Sequence, residues 1–309
     1  MKYTISGGTG LIGSKLIRHL AAQGHEIIIL SRSPDSVSNL PLHVKPVYWD
    51  GKNVSDWVTQ LGGTDVVINL AGESIAGKGI IPSPWTDSKK DRILKSRVQV
   101  GNTLLEGIRQ VDQKPQKFIQ ASAIGYYGSH GDEILTESSP PGSDFLSRTC
   151  TAWESSTKPV VDLGVTHIVV RLGVVLSEKG GALPRLLLPF KLFLGGPLGN
   201  GEQWYSWIHI DDVCNAIKFL SEHAHAQGVF NLTAPNPVKN KLFAKAIGKI
   251  MSRPAFLPVP GFLMKMVMGE VSTVVLDGQR VVPKRLKQLD YTFQYPELEG
   301  SLRDLISDH

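Results

Sequence analysis

The chain has 309 residues, of which 41% are hydrophobic, a net charge of +5 and two cysteines. This length allows one or two domains with a sizeable core. No apolar run is long enough for a membrane span. The two cysteines, Cys150 and Cys214, offer neither a disulfide framework nor a zinc-ligand spacing. The first strand begins at Lys2 and leaves no room for a signal peptide, which predicts a cytoplasmic protein. The charge is modest and evenly spread, which predicts no nucleic-acid partner. We also expect no metal site and no membrane partner.

The first thirty residues contain a glycine-rich turn between two predicted strands. A strand over residues 2–6 leads into four glycines, an amphipathic helix follows at once, and a second strand covers residues 26–30. Glycine permits the tight turn, the approach of backbone N–H groups to a pyrophosphate, and close packing of the helix on its strand. The phosphates then lie at the positive end of the helix. This arrangement predicts dinucleotide contacts from Gly7, Thr9, Gly10, Leu11, Ile12 and Gly13.

The end of the second predicted strand indicates which dinucleotide is bound. Proteins that bind NAD place an acidic residue about 20 residues past the glycines, where it accepts a hydrogen bond from the ribose 2′-hydroxyl. This chain instead has Ser31-Arg32-Ser33, with no acidic residue before Asp35. A guanidinium and two hydroxyls suit a 2′-phosphate, so the sequence favours NADP(H) as the cofactor. The alternative is that Arg32 is a solvated loop residue.

Strands and helices alternate through the first half of the chain, which predicts a parallel sheet covered by helices on both faces. Further strands are predicted over residues 44–49, 65–72, 117–122 and 166–171, with long helices over residues 85–109 and 147–163. A loop rich in glycine, proline and serine is predicted between Glu73 and Pro84. Ligands of such sheets bind at the carboxyl ends of the strands. We therefore expect the cofactor to be bordered also by Asp50, Leu70, Ala71, Gly72, Ser122, Leu172 and Gly173.

The second half of the chain is punctuated by glycines. The elements predicted there are a helix opened by residues 207–212 with Asp211 as its N-cap, a strand over residues 228–233 and a helix over residues 239–251. The predicted fold class is α/β, a Rossmann-type doubly wound parallel sheet with a smaller C-terminal substrate-capping domain and a pocket between the two. The predicted domains are a sheet domain over residues 1–175 with the returning segment 207–236, and a capping domain over residues 176–309.

Five motifs appear in the order expected of a known family. They are Gly7 to Gly13, Asn69 to Gly72, Ser122 to Gly128, Arg171 to Val174, and residues 207–212. With these motifs the chain resembles an extended short-chain dehydrogenase/reductase of the NAD(P)-dependent epimerase/dehydratase type. Segments 253–260 and 278–285 resemble the C-terminal domain of an atypical subgroup, the epimerase family proteins. The resemblance implies bound NADP(H) and an oxidoreductase or epimerase that acts on an unknown small carbonyl or sugar-like substrate.

The chain departs from that family at the catalytic positions. The wider family uses Tyr-x-x-x-Lys, in which the lysine and the cofactor ribose lower the tyrosine pKa for proton transfer. Alignment on Glu154, which matches a family glutamate four residues beyond the lysine, puts Cys150 at the lysine position and Leu146 at the tyrosine position. Arg97 takes the place of a helix asparagine, and only the serine is retained, as Ser122. The resemblance therefore leaves the proton donor unassigned.

Several residues could supply the catalytic chemistry instead, and each has an alternative structural role. Ser122 could hydrogen-bond a substrate carbonyl, and Tyr126 or Tyr127 could donate a proton if Arg97 or a lysine lowered its pKa. Either tyrosine could equally serve in packing. Cys150 could be a thiolate beside Arg97, or a small buried hydrophobic residue.

Other polar residues that border the expected pocket also have two interpretations. His209 could act as a general base, or it could hold the entrance of a helix through hydrogen bonds. Substrate-binding and purely structural roles are both open for Glu73, Trp85, Arg92 and Gln203.

The sequence leaves two hypotheses for the function of the protein. The first hypothesis is an NADP(H)-dependent oxidoreductase or epimerase, monomeric or homodimeric, with a relocated proton donor. The second is a non-catalytic NADP(H)-binding redox sensor.

Overall fold

Seven parallel strands form the central sheet of the computed structural model, which describes residues 1–77, 79 and 82–306. Counting the short strands outside this sheet, the strands of the described residues are β1 (Lys2–Ser6), β2 (Glu26–Ser31), β3 (Val44–Tyr48), β4 (Val66–Asn69), β5 (Lys117–Ala123), β6 (Ile134–Leu135), β7 (Thr166–Leu172), β8 (Val174–Leu176), β9 (Trp204–Tyr205), β10 (Trp207–His209), β11 (Gly228–Leu232), β12 (Val238–Lys239) and β13 (Arg280–Val281). The central sheet has the order β11-β7-β5-β4-β1-β2-β3. Because β2 and β4 lie on opposite sides of β1, the ligand crevice of this topology opens at the carboxyl ends of β1 and β4.

Helices cover both faces of the sheet. They are α1 (Leu11–Ala21), α2 (Asp87–Gln110), α3 (Phe145–Thr157), α4 (Leu183–Lys191), α5 (Ile210–Glu222), α6 (Asn240–Met251), α7 (Gly261–Met268), α8 (Thr273–Leu276), α9 (Lys284–Gln288) and α10 (Leu298–Ile306). Successive side chains of β2 point to opposite faces: Ile27 and Ile29 join a first core with α1 and α5, whereas Ile28 and Leu30 join a second core with α2. This double burial explains the nearly continuous apolar runs of the strands.

A third core lies beside the sheet and is built mainly by α4, α6 and α10. Its buried side chains include Leu183 of α4, Phe243 of α6 and Leu302 of α10. Between α4 and α6 the chain returns to the central sheet as α5 and β11, and between α6 and α10 Leu286 of α9 is buried in the first core. The chain therefore enters the third core three times.

The predicted α/β fold with a doubly wound parallel sheet is confirmed. The helix predicted to open at residues 207–212 is present as α5, but the structure differs from the prediction in the residues before the helix and in its N-cap. Residues Trp207–His209 form β10, which pairs in parallel with β8, because an extended segment places Trp207 in the third core and Ile208 in the first. The N-cap of α5 is His209, whose ring accepts a hydrogen bond from the N–H of Asp211 at 3.1 Å. Asp211 is therefore inside the first helical turn and is not the cap.

Two predicted regions extend beyond the described residues. The loop predicted between Glu73 and Pro84 includes positions 78, 80 and 81, and the predicted capping domain includes residues 307–309, all of which lie outside them. Residues 252–306, for which the sequence predicts no regular element, contain the helices α7 to α10 and the short strand β13. Within the described ranges, no helix combines the length and apolar character needed to cross a membrane.

Candidate functional site

Glycines shape the turn between β1 and α1 by leaving no side-chain atoms there. Gly7 has a φ of +73°, and a Cβ built on it would lie 2.6 Å from the carbonyl carbon of Leu70. A Cβ on Gly13 would lie 2.3 Å from the carbonyl oxygen of Gly7. The N–H of Gly10 donates to that same oxygen at 3.0 Å and closes the turn. The backbones of β1, α1 and the β4 end thus approach each other as closely as only glycine allows.

The N-terminus of α1 begins at this turn without a capping side chain. Gly10 is the N-cap, and within the part of the chain that the structure describes no side chain caps the first turn. The helical hydrogen bonds start at Ser14, whose N–H donates to the carbonyl of Gly10 at 2.9 Å. The N–H groups of Leu11 and Ile12 therefore have no partner within the helix. Free N–H groups at the positive end of a helix fit the pyrophosphate of a dinucleotide.

The residues predicted to bind the 2′-phosphate of the cofactor lie at the end of β2, at or near the protein surface. Ser31 is half-buried, and its hydroxyl oxygen accepts a hydrogen bond from the N–H of Ser33 at 3.2 Å. Arg32 is exposed and follows the strand directly, with no acidic residue between it and Asp35. A cation at this strand end, next to a serine hydroxyl, fits an anionic group on the ribose better than a neutral one.

Asp50 lies after β3 and uses its carboxylate locally. Its Oδ1 accepts hydrogen bonds from the N–H groups of Lys52 and Asn53 at 2.8 and 2.9 Å, and its Oδ2 accepts one from Asn53 Nδ2 at 2.7 Å. The hydrogen bonds from Asn53 and Lys52 hold the pKa of Asp50 below its ordinary value. This carboxylate shapes the loop after β3 at the same edge of the sheet as the glycine turn.

A row of buried polar side chains supports the strand ends below the crevice. Ser6 donates a hydrogen bond to Asn69 Oδ1 at 2.7 Å, and Asn69 Nδ2 donates to Gln120 Oε1 at 2.9 Å. Asn69 Oδ1 also accepts from the N–H of Ala71 at 3.2 Å. This row links β1, β4 and β5 and fixes the backbone that leads from β4 into Ala71 and Gly72, where the cofactor is expected.

Arg97 of α2 lies against the end of β4. A Cβ built on Gly72 would lie 3.1 Å from the guanidinium carbon of Arg97. The guanidinium donates to the carbonyl of Ile93 at 2.9 Å and lies 4.9 Å from the centre of the Trp153 ring. Burial lowers the pKa of Arg97 below its ordinary value, but arginine stays protonated in proteins. The structure thus places a positive charge beside the predicted cofactor residue Gly72.

Cys150 and Leu146 occupy the positions aligned with the family lysine and tyrosine. Cys150 is buried, and this burial, with a contribution from the charge of Glu154, raises the pKa of its thiol to about 11. The thiol is therefore neutral at physiological pH despite the nearby charge of Arg97, and it cannot replace an ammonium group. Leu146 packs in an apolar cluster with Trp85. Of the two interpretations of Cys150, the structure favours the buried thiol.

A buried ion pair lies directly behind Ser122. The hydroxyl of Ser122 donates to Glu154 Oε1 at 2.6 Å, and Arg171 donates to both oxygens of Glu154 at 2.9 Å each. The Arg171 side chain is 3% exposed and that of Glu154 is 13% exposed. Burial alone would lower the pKa of Arg171, yet its bonds to Glu154 raise that pKa above the ordinary value. The Ser122 hydroxyl is thus held by a charged pair that joins β5, α3 and β7.

The two tyrosines of the loop after β5 have different surroundings. Tyr127 is fully buried, donates to Asn231 Oδ1 at 2.7 Å and accepts from Arg171 at 3.0 Å, and its burial raises its pKa. Tyr126 is half-buried, and its ring lies 3.3 Å from the guanidinium carbon of Arg171. The hydroxyl of Tyr126 makes no hydrogen bond to another described residue. Tyr127 is part of the packed network, whereas the hydroxyl of Tyr126 is available to a ligand.

Leu172 is the last residue of β7, and Gly173 follows it at the same edge of the sheet. The N–H of Gly173 donates to the carbonyl of Leu232 at 3.0 Å, and a Cβ on Gly173 would lie 2.4 Å from the carbonyl oxygen of Ser206. Leu172 is half-buried against the first core. The glycine is required here by the close approach of the segment that precedes β10.

His209 holds the entrance of α5. Its ring is 1% exposed, its Nδ1 accepts from the Asp211 N–H, and its Nε2 lies 3.2 Å from a carboxylate oxygen of Asp304. Burial lowers the pKa of His209 below the ordinary histidine value. Both ring nitrogens therefore face structural partners, in agreement with the helix-entrance interpretation.

The remaining polar candidates divide between packing and a cavity. Glu73 and Arg92 form an ion pair at 3.3 Å, and Trp85 is buried with its ring centre 5.1 Å from that of Phe145. Gln203 donates to two backbone carbonyls, while its buried Oε1 lacks a partner among the described residues. A cavity of about 420 Å³ beside it is lined by Ser129, Gly131, Asp132, Asn200, Glu202, Gln203, Trp204, Lys239, Leu276 and Gly278.

The ion pair between Glu154 and Arg171 is the part of the site that the sequence interpretation misses. A signal for it was present. Arg171 follows three apolar residues near the end of β7, and a buried arginine needs a carboxylate partner. Asn231 in β11 is a second missed member, recognisable as a polar residue in the core of a short strand.

The chain matches known sequence families along most of its length. The profile of the NAD dependent epimerase/dehydratase family matches residues 3–233, and DUF1731, a domain of unknown function, matches residues 259–305. Epimerase family protein YfhF of Bacillus subtilis (strain 168) is 38% identical over 309 residues, with 100% of this chain and 99% of that protein covered. The chloroplastic SDR39U1 homolog of Arabidopsis thaliana is 37% identical, with 99% of this chain and 87% of that protein covered.

Solved structures share the whole fold. The human epimerase family protein SDR39U1, crystallised with NADPH, has a TM-score of 0.89 and 33% identity, with 100% of both chains covered. The nucleoside-diphosphate sugar epimerase of Corynebacterium glutamicum has a TM-score of 0.79 and 33% identity, with 100% of this chain and 59% of that chain covered. The sheet, the glycine turn and the matched C-terminal region together show that this chain belongs to the NAD dependent epimerase/dehydratase family, among its epimerase family proteins.

Proposed function

We propose that the chain is an NADP(H)-dependent oxidoreductase that acts on a small carbonyl or alcohol substrate at the carboxyl edge of the central sheet. The observation that carries the proposal is the crevice between β1 and β4, where glycines exclude side chains and the first turn of α1 is uncapped. Leu11 and Ile12 would bind the pyrophosphate through their N–H groups. When bound, NADP(H) supplies or accepts the hydride.

The preference for the phosphorylated cofactor rests on the end of β2. The exposed guanidinium of Arg32 and the hydroxyl of Ser31 would bind the 2′-phosphate, and no acidic residue lies between Glu26 and Asp35 to repel it. The human relative SDR39U1 was crystallised with NADPH, which supports the same choice here.

Replacing Arg32 by aspartate tests this preference. The variant loses a charge-assisted contact to the 2′-phosphate and gains a carboxylate that repels it. We expect the dissociation constant for NADPH, measured by calorimetry, to rise roughly 10- to 150-fold, since such a contact contributes about 1.5–3 kcal/mol. Binding of NADH is expected to change little. The control is Arg109→Asp, an exposed arginine at the end of α2. Equal losses of NADPH and NADH affinity would refute the 2′-phosphate assignment.

Reduction of a carbonyl also requires a proton at the substrate oxygen. Ser122 already donates to Glu154, and Tyr127 donates to Asn231. We propose Tyr126 as the proton donor, because its half-buried hydroxyl is not engaged by another described residue and its ring is stacked on Arg171. Arg171 is then a positioning residue that orients the phenol ring.

The change Tyr126→Phe removes the proposed proton and leaves the stacked ring in place. Turnover, followed as loss of NADPH absorbance with a panel of aldehydes and ketones, is expected to fall roughly 10²- to 10⁴-fold, the usual contribution of a general acid. NADPH affinity is expected to stay within a factor of about two, since the phenol lies outside the proposed cofactor contacts. Tyr48→Phe, on an exposed tyrosine, is the control. Undiminished turnover in Tyr126→Phe would exclude Tyr126 as the donor.

The second candidate function is a non-catalytic NADP(H)-binding sensor. One observation favours it: the positions of the family tyrosine and lysine are held by the apolar Leu146 and the neutral, buried Cys150. The same panel distinguishes the two functions, because a sensor would bind NADPH tightly and show no turnover with any compound.

A further inference from the structure

Helix α7 is apolar on all sides, although only one side is packed. Its sequence, Gly261–Met268, contains a single charged residue, Lys265. Met264 and Met268 pack inward in an apolar cluster that includes Trp85 and Val271. A helix that is hydrophobic all round is normally buried all round. The outer side of α7 therefore lacks the partner that its composition requires.

The open side of α7 continues into two neighbouring segments. The N–H of Leu257 donates to the carbonyl of Gly195 at 3.1 Å, and the guanidinium of Arg253 lies 4.2 Å from the centre of the Phe193 ring. These contacts join the end of α4 to the segment before α7. The resulting surface, called here the α7 surface, consists of Leu192, Phe193, Leu194, Phe256, Leu257, Phe262, Leu263, Met266 and Val267.

The α7 surface is larger than an ordinary apolar surface patch. Phe256 and Met266 are each 74% exposed, and Phe262 is 70% exposed. If a fully exposed large side chain presents roughly 200 Å², the nine side chains together present on the order of 1,000 Å². The largest patch on a typical monomeric protein is about 300–600 Å². A patch of this size marks an interaction site.

The two segments that form the α7 surface carry charges of one sign. The nearest acids lie outside these segments: Glu270 pairs with Lys90, and Asp277 lines a hollow together with Lys265. Segments 191–200 and 251–268, which form it, contain Lys191, Arg253 and Lys265 and no aspartate or glutamate. In a symmetric contact between two copies the same patch faces itself, so these cations would oppose cations without an acid of the patch to pair them. Anionic lipid headgroups complement both features, since they attract lysine and arginine while apolar side chains enter the acyl boundary.

We propose that the α7 surface docks on a bilayer that contains anionic phospholipid, with Phe256, Phe262 and Met266 inserted at the interface and Lys191, Arg253 and Lys265 on the headgroups. This docking is peripheral and needs no membrane-spanning helix. It replaces the expectation of no membrane partner, which was based on net charge and on the absence of a long apolar run. Neither criterion detects a surface assembled from short, separate segments.

Co-sedimentation with vesicles tests the proposal on the full chain. We expect binding to vesicles of phosphatidylcholine with phosphatidylglycerol, and much weaker binding to phosphatidylcholine alone. The double variant Phe256→Ser/Met266→Ser is expected to lower the partition coefficient roughly ten-fold or more, because two inserted apolar side chains are lost. Lys265→Gln is expected to lower it roughly five-fold, as for one cation near an anionic surface. The effect of Lys265→Gln should shrink at high salt, whereas the effect of the double variant should not.

The control is Leu42→Ser, which removes an 83% exposed leucine outside the α7 surface and should leave partitioning unchanged. Thermal unfolding checks that every variant is folded. The proposal is overturned if the wild-type chain ignores anionic vesicles, or if the double variant binds them as well as the wild type. It is also overturned if sedimentation velocity shows a dimer that the double variant abolishes while no vesicle binding occurs, since the occupant is then a second copy of the chain.

Discussion

Replacing Gly13 by alanine is expected to abolish measurable NADPH binding. The new Cβ would lie 2.3 Å from the carbonyl oxygen of Gly7 and 2.7 Å from the Cα of Gly8, and both are backbone atoms that cannot rotate away. The turn must open, so the N–H groups at the start of α1 move off the pyrophosphate. Loss of two charge-assisted hydrogen bonds at about 1.5–3 kcal/mol each corresponds to a rise of more than about 100-fold in the dissociation constant.

The sign of this effect is not obvious from helix propensity alone, because alanine normally stabilises a helix by about 1 kcal/mol relative to glycine. Overpacking against backbone typically costs about 1–3 kcal/mol, and it outweighs that gain at Gly13. Gly300 in α10 is the matched control, since a Cβ there meets nothing within 4 Å. Gly300→Ala is expected to keep NADPH affinity and to raise the melting temperature slightly. If Gly13→Ala bound NADPH as the control does, the crevice at α1 would not be the cofactor site.

Replacing Glu154 by glutamine is expected to cause the largest loss of stability among single changes at the site. Glutamine keeps the shape and an acceptor for the Ser122 hydroxyl, but it leaves the buried guanidinium of Arg171 without its anion and replaces one of the two oxygens that accept from Arg171 by an NH2 donor. Removing one partner of a buried ion pair costs about 3–5 kcal/mol. For a chain of this size we expect the melting temperature to fall by roughly 6–10 °C.

Two further variants separate the ion pair from general packing. The double change Glu154→Leu/Arg171→Met removes both charges and is expected to recover more than half of the lost stability, because an apolar pair avoids the unpaired charge. The surface pair of Lys95 and Asp91, with side chains 70% and 51% exposed, serves as the exposed comparison. Asp91→Asn there should cost less than about 0.5 kcal/mol. A double variant no more stable than Glu154→Gln would mean that the buried charge is not the cause of the loss.

The sequence predicts the start of the fold well because its constraints are local. Gly10 and Gly13 are each required by the close approach of the Gly7 carbonyl oxygen, and Gly7 by the backbone that follows β4, so the spacing predicts the turn. Gly8 is required by the side chains of Ile17 in α1 and Ile29 in β2, which belong to the same βαβ unit. The buried runs of β4 and β7 are equally readable, since a strand covered on both faces needs no alternation. The seven-stranded parallel sheet follows from these units in series.

The inner parts of the site were not predictable in the same way. Glu154 and Arg171 come from α3 and β7, and nothing in their spacing shows that the helix lies over the strand end. The strand formed by Trp207–His209 was not predictable for a different reason, namely its short length. A run of three residues has no measurable period, and only the packing of Trp207 and Ile208 into different cores decides that it is extended.

Because the chain enters the third core three times, the protein cannot be cut freely into fragments. The epimerase match ends at residue 233, yet Leu183 and Trp207, on the earlier side of that position, share their core with Phe243 and Leu302 on the later side. A fragment that ended at residue 233 would strip the cover from these apolar side chains. The boundary between the two matched family models therefore runs through one shared hydrophobic core, and neither matched segment contains all of the side chains that bury it.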